Sequence, residues 1–141
     1  VGSEMCIRDR SSGENAEVRI GLIDKRVGTP ETGAWFFYDG SADSDWQCVV
    51  NGQIVHTFTG TGDLSDDWVW FNITNKGEGN CDFSLSSTKT NVAWTHSYVG
   101  GAIDEQSMLL YVLHVRTLDG TRKTVDFDFF DTRTQFPNRL A

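Results

Sequence analysis

Hydrophobic and polar residues alternate with a period of two through almost every segment of this chain, and the segments are rich in Val, Ile, Thr, Phe, Tyr and Trp. That is the pattern of strands with one buried face. Nowhere does a helical period run beyond a single turn. In EVRIGLI (17–23) Val18, Ile20 and Leu22 share a face; AWFFYD (34–39) follows the turn-rich VGTPETG; DWQCVV (45–50) meets Asn51-Gly52 and continues as QIVHTFT (53–59). Asn-Gly between two such runs predicts a tight hairpin, because both central residues of a type I′ turn need positive φ.

Beyond GTGDLSD come DWVWFNIT (67–74), the glycine-rich NKGEGN, CDFSLS (81–86) and NVAWTHSY (91–98). MLLYVLHVRT (108–117) and KTVDFDFFD (123–131), joined by LDGTR, complete the set, and proline occurs only at Pro30 and Pro137. About nine strands with turn signals every 8 to 12 residues predict an all-β fold, an antiparallel β-sandwich or barrel. The alternation places Val69, Phe71 and Ile73 on a core face, with Trp68, Trp70 and Asn72 opposite. Near the end Val125, Phe127 and Phe129 oppose Asp126, Asp128 and Phe130, a core side and a side that begins with two aspartates and is expected to be wet.

The opening decapeptide VGSEMCIRDR breaks this texture. It is no secretory leader, since Glu4, Arg8, Asp9 and Arg10 leave no apolar run. Its first nine residues back-translate to a transposase-type sequencing adapter, so residues 1–10 are expected to be translated adapter and to pack poorly. The domain organisation that follows is 1–10 adapter, 11–16 disordered lead-in, 17–133 one sandwich domain and 134–141 a C-terminal tail. Should residues 1–10 instead form a strand of the sandwich, they would stand in for one that the read cut off.

Composition narrows the partners. The formal net charge of −8 repels phosphate backbones and anionic lipid, and no Lys/Arg cluster offsets it. Nucleic acid is not an expected partner. Nor is a membrane, as no apolar stretch approaches the roughly 18 to 20 residues that cross one. With Cys6 in the adapter, Cys48 and Cys81 remain, each inside a strand. Buried reduced thiols are the simpler expectation; a bridge between neighbouring strands stays open, and zinc-ligand spacing is absent.

The order RIGL, GAWFFYDG, DWQCVVNG, DWVWFNI and a closing TVDFDFF resembles the concanavalin A-like lectin/glucanase jelly roll, in the form carried by phage tail and other virion structural proteins. The resemblance runs from about Glu17 to Asp131. Two departures stand out: members carry further strands before the Arg-x-Gly-Leu strand, which implies a domain short of its first strands, and VGGAIDEQ has no proline where relatives have an Asn-x-Pro turn. The resemblance implies a non-enzymatic, lectin-like domain of a virion, assembled in the host cytoplasm and contacting host-surface glycan, other virion proteins or further copies of itself. A secreted bacterial carbohydrate-binding module and a degenerate laminarinase-type glycoside hydrolase are its alternatives.

Candidate chemistry follows the same lines. DFDFFD has the spacing of a glucanase catalytic strand, but Asp126, Asp128 and Asp131 lack the reach of Glu, so solvent-facing aspartates are expected and no catalytic residue is assigned. DGSADSD offers oxygens at Asp39, Ser41, Asp43 and Asp45, but Ser44 and Val50 stand where a calcium loop needs Gly and Glu, leaving a hydrated acidic turn. His56, His96 and His114 sit in separate strands, and neither metal nor cofactor is assigned. NVAWTHSY projects Trp94, His96 and Tyr98 onto one face, and Trp70 lies beside Trp68 on another. Rings in a row can stack on sugars or fill a core, and both readings remain. The candidate glycan contacts are Trp70, Trp94, His96, Tyr98, Asp126 and Asp128.

Overall fold

In the computed structural model, which describes residues 2–9, 16–24, 32–42, 45–62, 64, 68–77, 80–88, 93–100, 110–118, 120 and 125–133, the alternating segments pair into two antiparallel sheets. The strands are β1 (Gly2–Asp9), β2 (Ala16–Ile23), β3 (Gly33–Asp39), β4 (Gln47–Val50), β5 (Gln53–Thr57), β6 (Val69–Gly77), β7 (Asn80–Ser87), β8 (Ala93–Tyr98), β9 (Leu110–Thr117) and β10 (Val125–Arg133). One five-stranded sheet has the order β10-β1-β6-β7-β8 and the other β5-β4-β3-β2-β9. The all-β antiparallel sandwich is therefore the fold. For β1, β10 and the stretches 11–15 and 134–141, side chains or the whole segment lie outside the described residues.

The predicted hairpin forms as its chemistry requires. Asn51 has φ 49° and Gly52 φ 80°, the two positive values of a type I′ turn between β4 and β5. The core sits between the sheets. Val18, Ile20 and Leu22 of β2 and Ala34, Phe36 and Tyr38 of β3 meet Val69, Phe71 and Ile73 of β6 and Cys81, Phe83 and Leu85 of β7. Phe36 lies at its centre, edge-on to Phe71 and Phe83 with ring centroids at 5.1 and 5.4 Å. Alternation in β6 comes out as the pattern requires: Val69, Phe71 and Ile73 are buried, while Trp70 and Asn72 are only partly so. Cys48 and Cys81 are buried free thiols on opposite sheets.

Gly21 explains part of the Arg-x-Gly-Leu pattern. Its φ is +150°, and a Cβ there would lie 2.5 Å from the Ala34 carbonyl oxygen and 2.8 Å from the Ile73 side chain. Only glycine lets β2 lie so close to the β3 backbone and the Ile73 side chain at this point.

The backbone of β1 takes an inner position, paired with β10 on one side and β6 on the other, for instance Met5 with Phe130 and Phe71. Its backbone thus takes a strand position within the sheet. The side-chain packing of residues 1–10 lies outside the described residues.

Candidate functional site

On the outer face of the β5-β4-β3-β2-β9 sheet, strand register assembles two rows that alternation alone does not reveal. Glu17 of β2 stands directly opposite Asp39 of β3 on one side and Arg116 of β9 on the other. One pleat along, Gln47, Phe37, Arg19 and His114 form a row across β4, β3, β2 and β9. Further along the same face Ile23, Trp35 and Val49 make a small second core, with Phe37 and Val112 packed against it. An antiparallel sheet usually leaves such a face polar; here part of it is apolar and buried.

The carboxylate of Glu17 is the centre of this shelf. Its side chain is 14% exposed, and Oε1 accepts a hydrogen bond from Arg116 Nη2 at 3.4 Å. Oε2 is buried and lies 3.5 Å from Arg19 Nη1, an ionic contact whose geometry makes no hydrogen bond. Arg19 is itself fixed, with its guanidinium 5.1 Å from the Phe37 ring centroid. Across the register Asp39 Oδ1 accepts from Ser41 N at 2.9 Å and Ser41 Oγ at 2.7 Å. Glu17 and Asp39 are thus opposed in register, and two arginines lie beside the Glu17 carboxylate. The face thus holds two carboxylates and two arginines, with the Phe37 ring beside Arg19.

The acidic turn resolves differently from a cation site. Asp45 accepts from the backbone N–H of Gly60 at 3.0 Å and of Gly62 at 2.8 Å, and from Thr61 Oγ1 at 3.4 Å. Burial pushes its pKa up, but the hydrogen bonds from Gly62, Gly60 and Thr61 outweigh it, and the net direction is down. Asp45 thus ties the strand leading into β4 to the turn after β5. Asp43 lies outside the described residues, and among the described residues no cluster of three metal-ligating side chains occurs.

The residues expected to contact glycan do not share a surface. Trp94 and Tyr98 turn inward and pack against the main core, and His96 stacks on His56 at 4.1 Å, leaving Ala93, Thr95 and Ser97 as the exposed side of β8. Trp70 faces the other way, in register with Ser86 on the outer face of its sheet. The side chains of Asp126 and Asp128 lie outside the described residues. Sequence reasoning passed over Glu17, Arg19 and Arg116 because the last is remote in sequence; the alternation of Glu17 and Arg19 on the wet face of EVRIGLI was the one available signal.

No protein-family model matches the chain, and no curated protein sequence does. Solved structures do. SCP-B, a member of the eqolisin family of peptidases in complex with the tripeptide Ala-Ile-His, matches with TM-score 0.44 and 12% identity over 90% of this chain and 67% of that one. Scytalido-glutamic peptidase with a transition-state analogue inhibitor matches with TM-score 0.47 and 13% identity over 90% and 68%. The same peptidase with a peptide-based analogue gives 0.44 and 14% over the same shares. The likeness concerns the β-sandwich, which the strand pairing of this chain establishes by itself.

These matches correct the expected resemblance: the similar structures are eqolisin peptidases, not concanavalin A-like lectins of phage tails. The non-enzymatic, lectin-like role drawn from that resemblance, and the glycoside hydrolase beside it, fall with it. The physical reason lies in the motifs. Gly21 serves close approach of the layers and Asn51-Gly52 a type I′ turn, so both report sandwich geometry and neither marks one family.

Proposed function

We propose that this chain is a hydrolase of peptide bonds whose acid-base groups are Glu17 and Asp39. The observation that carries the reading is their opposition in register on β2 and β3, with two arginines beside the Glu17 carboxylate. The peptidase activity of the similar solved structures belongs to those proteins.

The chemistry needs only groups on this face. The Glu17 carboxylate, whose side chain is 14% exposed, takes a proton from a water molecule as the water oxygen adds to the substrate carbonyl carbon. Arg19 and Arg116 lie beside that carboxylate and stabilise the negative charge developing on the carbonyl oxygen. The C–N bond then breaks, and the departing nitrogen takes the proton from the carboxyl group. Asp39 supplies the second carboxylate of the pair, and Phe37 an apolar contact for a substrate side chain.

A mixed peptide set incubated from pH 3 to pH 8, with products read by mass spectrometry, tests this. Cleavage lost in a folded Glu17→Gln variant, by about a hundredfold or more, is the expected result. Wild-type protein that cuts no peptide anywhere in that range, or a Glu17→Gln variant as active as wild type, rules the reading out.

A further inference from the structure

The open side of the sandwich carries a second feature, remote in register from Glu17 and independent of the peptidase reading. β5 ends one sheet and β8 ends the other. Between these two edges His56 and His96 lie ring on ring, with centroids 4.1 Å apart and planes inclined by 4°. His56 also meets Phe58 edge-on at 5.0 Å, and Trp94 and Tyr98 pack against the core from the same face of β8. The described core between the sheets is apolar, and this stack is a polar contact at its edge.

We propose that the His56–His96 stack is an acid-sensitive latch that holds β5 against β8 while both rings are neutral and releases the two edges when both take up protons. Two imidazolium rings at 4.1 Å repel, and a half-buried site screens that repulsion poorly. Among the described residues no carboxylate faces the pair to offset it. On β4 the residue opposite His56 is the Cys48 thiol, which burial keeps protonated; on β7 the residue opposite His96 is Phe83; on β8 the neighbour on the same face is the Tyr98 phenol. The Asp82 carboxylate of β7 and its Lys76 partner on β6 belong to the outer face of their sheet. β5 carries no ionisable residue besides His56.

The direction of titration agrees with this geometry. Burial holds His96 below its ordinary 6.5, and His56 adds repulsion. The unfolded chain therefore binds a proton at higher pH than the folded one. The contribution of the latch is complete above pH 6.5 and is lost as pH falls from there through the lower folded-state value.

Hydrogen exchange of the full chain at pH 7.5 and pH 5.0, corrected for the intrinsic rate, is the test. Protection of β5 and β8 amides is expected to fall by about tenfold or more on acidification, with β2, β3 and β6 unchanged, and the fall is expected to be abolished in His96→Phe. His114→Asn is expected to leave it intact. An equal fall in His96→Phe, or no local fall in wild type, overturns the proposal. Should His96→Phe fail to fold, proton NMR of the wild-type histidine rings decides: two coupled steps, one below 6.5, support the latch, and independent titrations of His56 and His96 at the ordinary value overturn it.

Discussion

Asn51 and Gly33 hold each other through two hydrogen bonds: the Gly33 amide donates to Asn51 Oδ1 at 3.1 Å, and the Asn51 amide donates to the Gly33 carbonyl at 2.9 Å. The turn between β4 and β5 is thereby fastened to the start of β3, eighteen residues earlier. Asn51→Ala removes the side-chain acceptor and places a Cβ residue without local compensation at φ 49°, so a loss of about 1 to 3 kcal/mol is expected. Asn51→Gly keeps the backbone freedom and should lose less, about 1 kcal/mol. Urea denaturation of the two variants side by side separates the conformational part from the hydrogen bond.

Asp45 gathers the 60–62 turn through backbone donors, and its pKa lies below 3.8 despite the opposing effect of burial. A lowered folded-state value means that its contribution is present above the ordinary carboxylate value and is lost as pH falls through the folded one. Stability of the wild type should therefore decline on acidification below about pH 4 more steeply than that of Asp45→Asn. Parallel denaturation curves at pH 3 and pH 6 measure the difference.

Gly21→Ala should be among the most damaging small substitutions. The added methyl group meets backbone at 2.5 Å as well as the Ile73 side chain, in a conformation L residues rarely adopt. A loss of about 3 kcal/mol or more is expected, against about 1 kcal/mol for Gly60→Ala, where φ is +84° but the space is open. Thermal melting of both variants is sufficient to compare them.

Burial pushes the Cys81 thiol up to about 11, with the charge of Asp82 adding to it, and pushes Cys48 higher still. Since the thiolate is the reactive form, alkylation at pH 8 should leave both residues unmodified in the native state and modify both in denaturant. Peptide mapping by mass spectrometry after a timed iodoacetamide pulse reads each site separately.

Strand identity was legible because period-two alternation and turn chemistry act over a few residues. All nine expected segments are strands, and the hairpin at Asn51-Gly52 has the predicted turn. The face of Trp94, His96 and Tyr98 was legible too, but not whether it met solvent or core, because alternation distinguishes two faces without saying which is covered. The shelf at Glu17 was hidden for another reason. Glu17 and Arg116 are ninety-nine residues apart and become neighbours only when β9 returns to pair with β2.

By itself, then, the amino-acid order determined an all-β chain, its turns and the residues eligible for a core, since each depends on local backbone preference and on one face of a strand being apolar. Register and layer order were decided only in the folded chain. These bring Glu17 against Asp39 and Arg116, and His56 against His96 across two sheet edges. Pairing between remote strands is selected by the packing of the whole sandwich, and that is why the Glu17–Asp39 opposition and the histidine stack appear only in three dimensions.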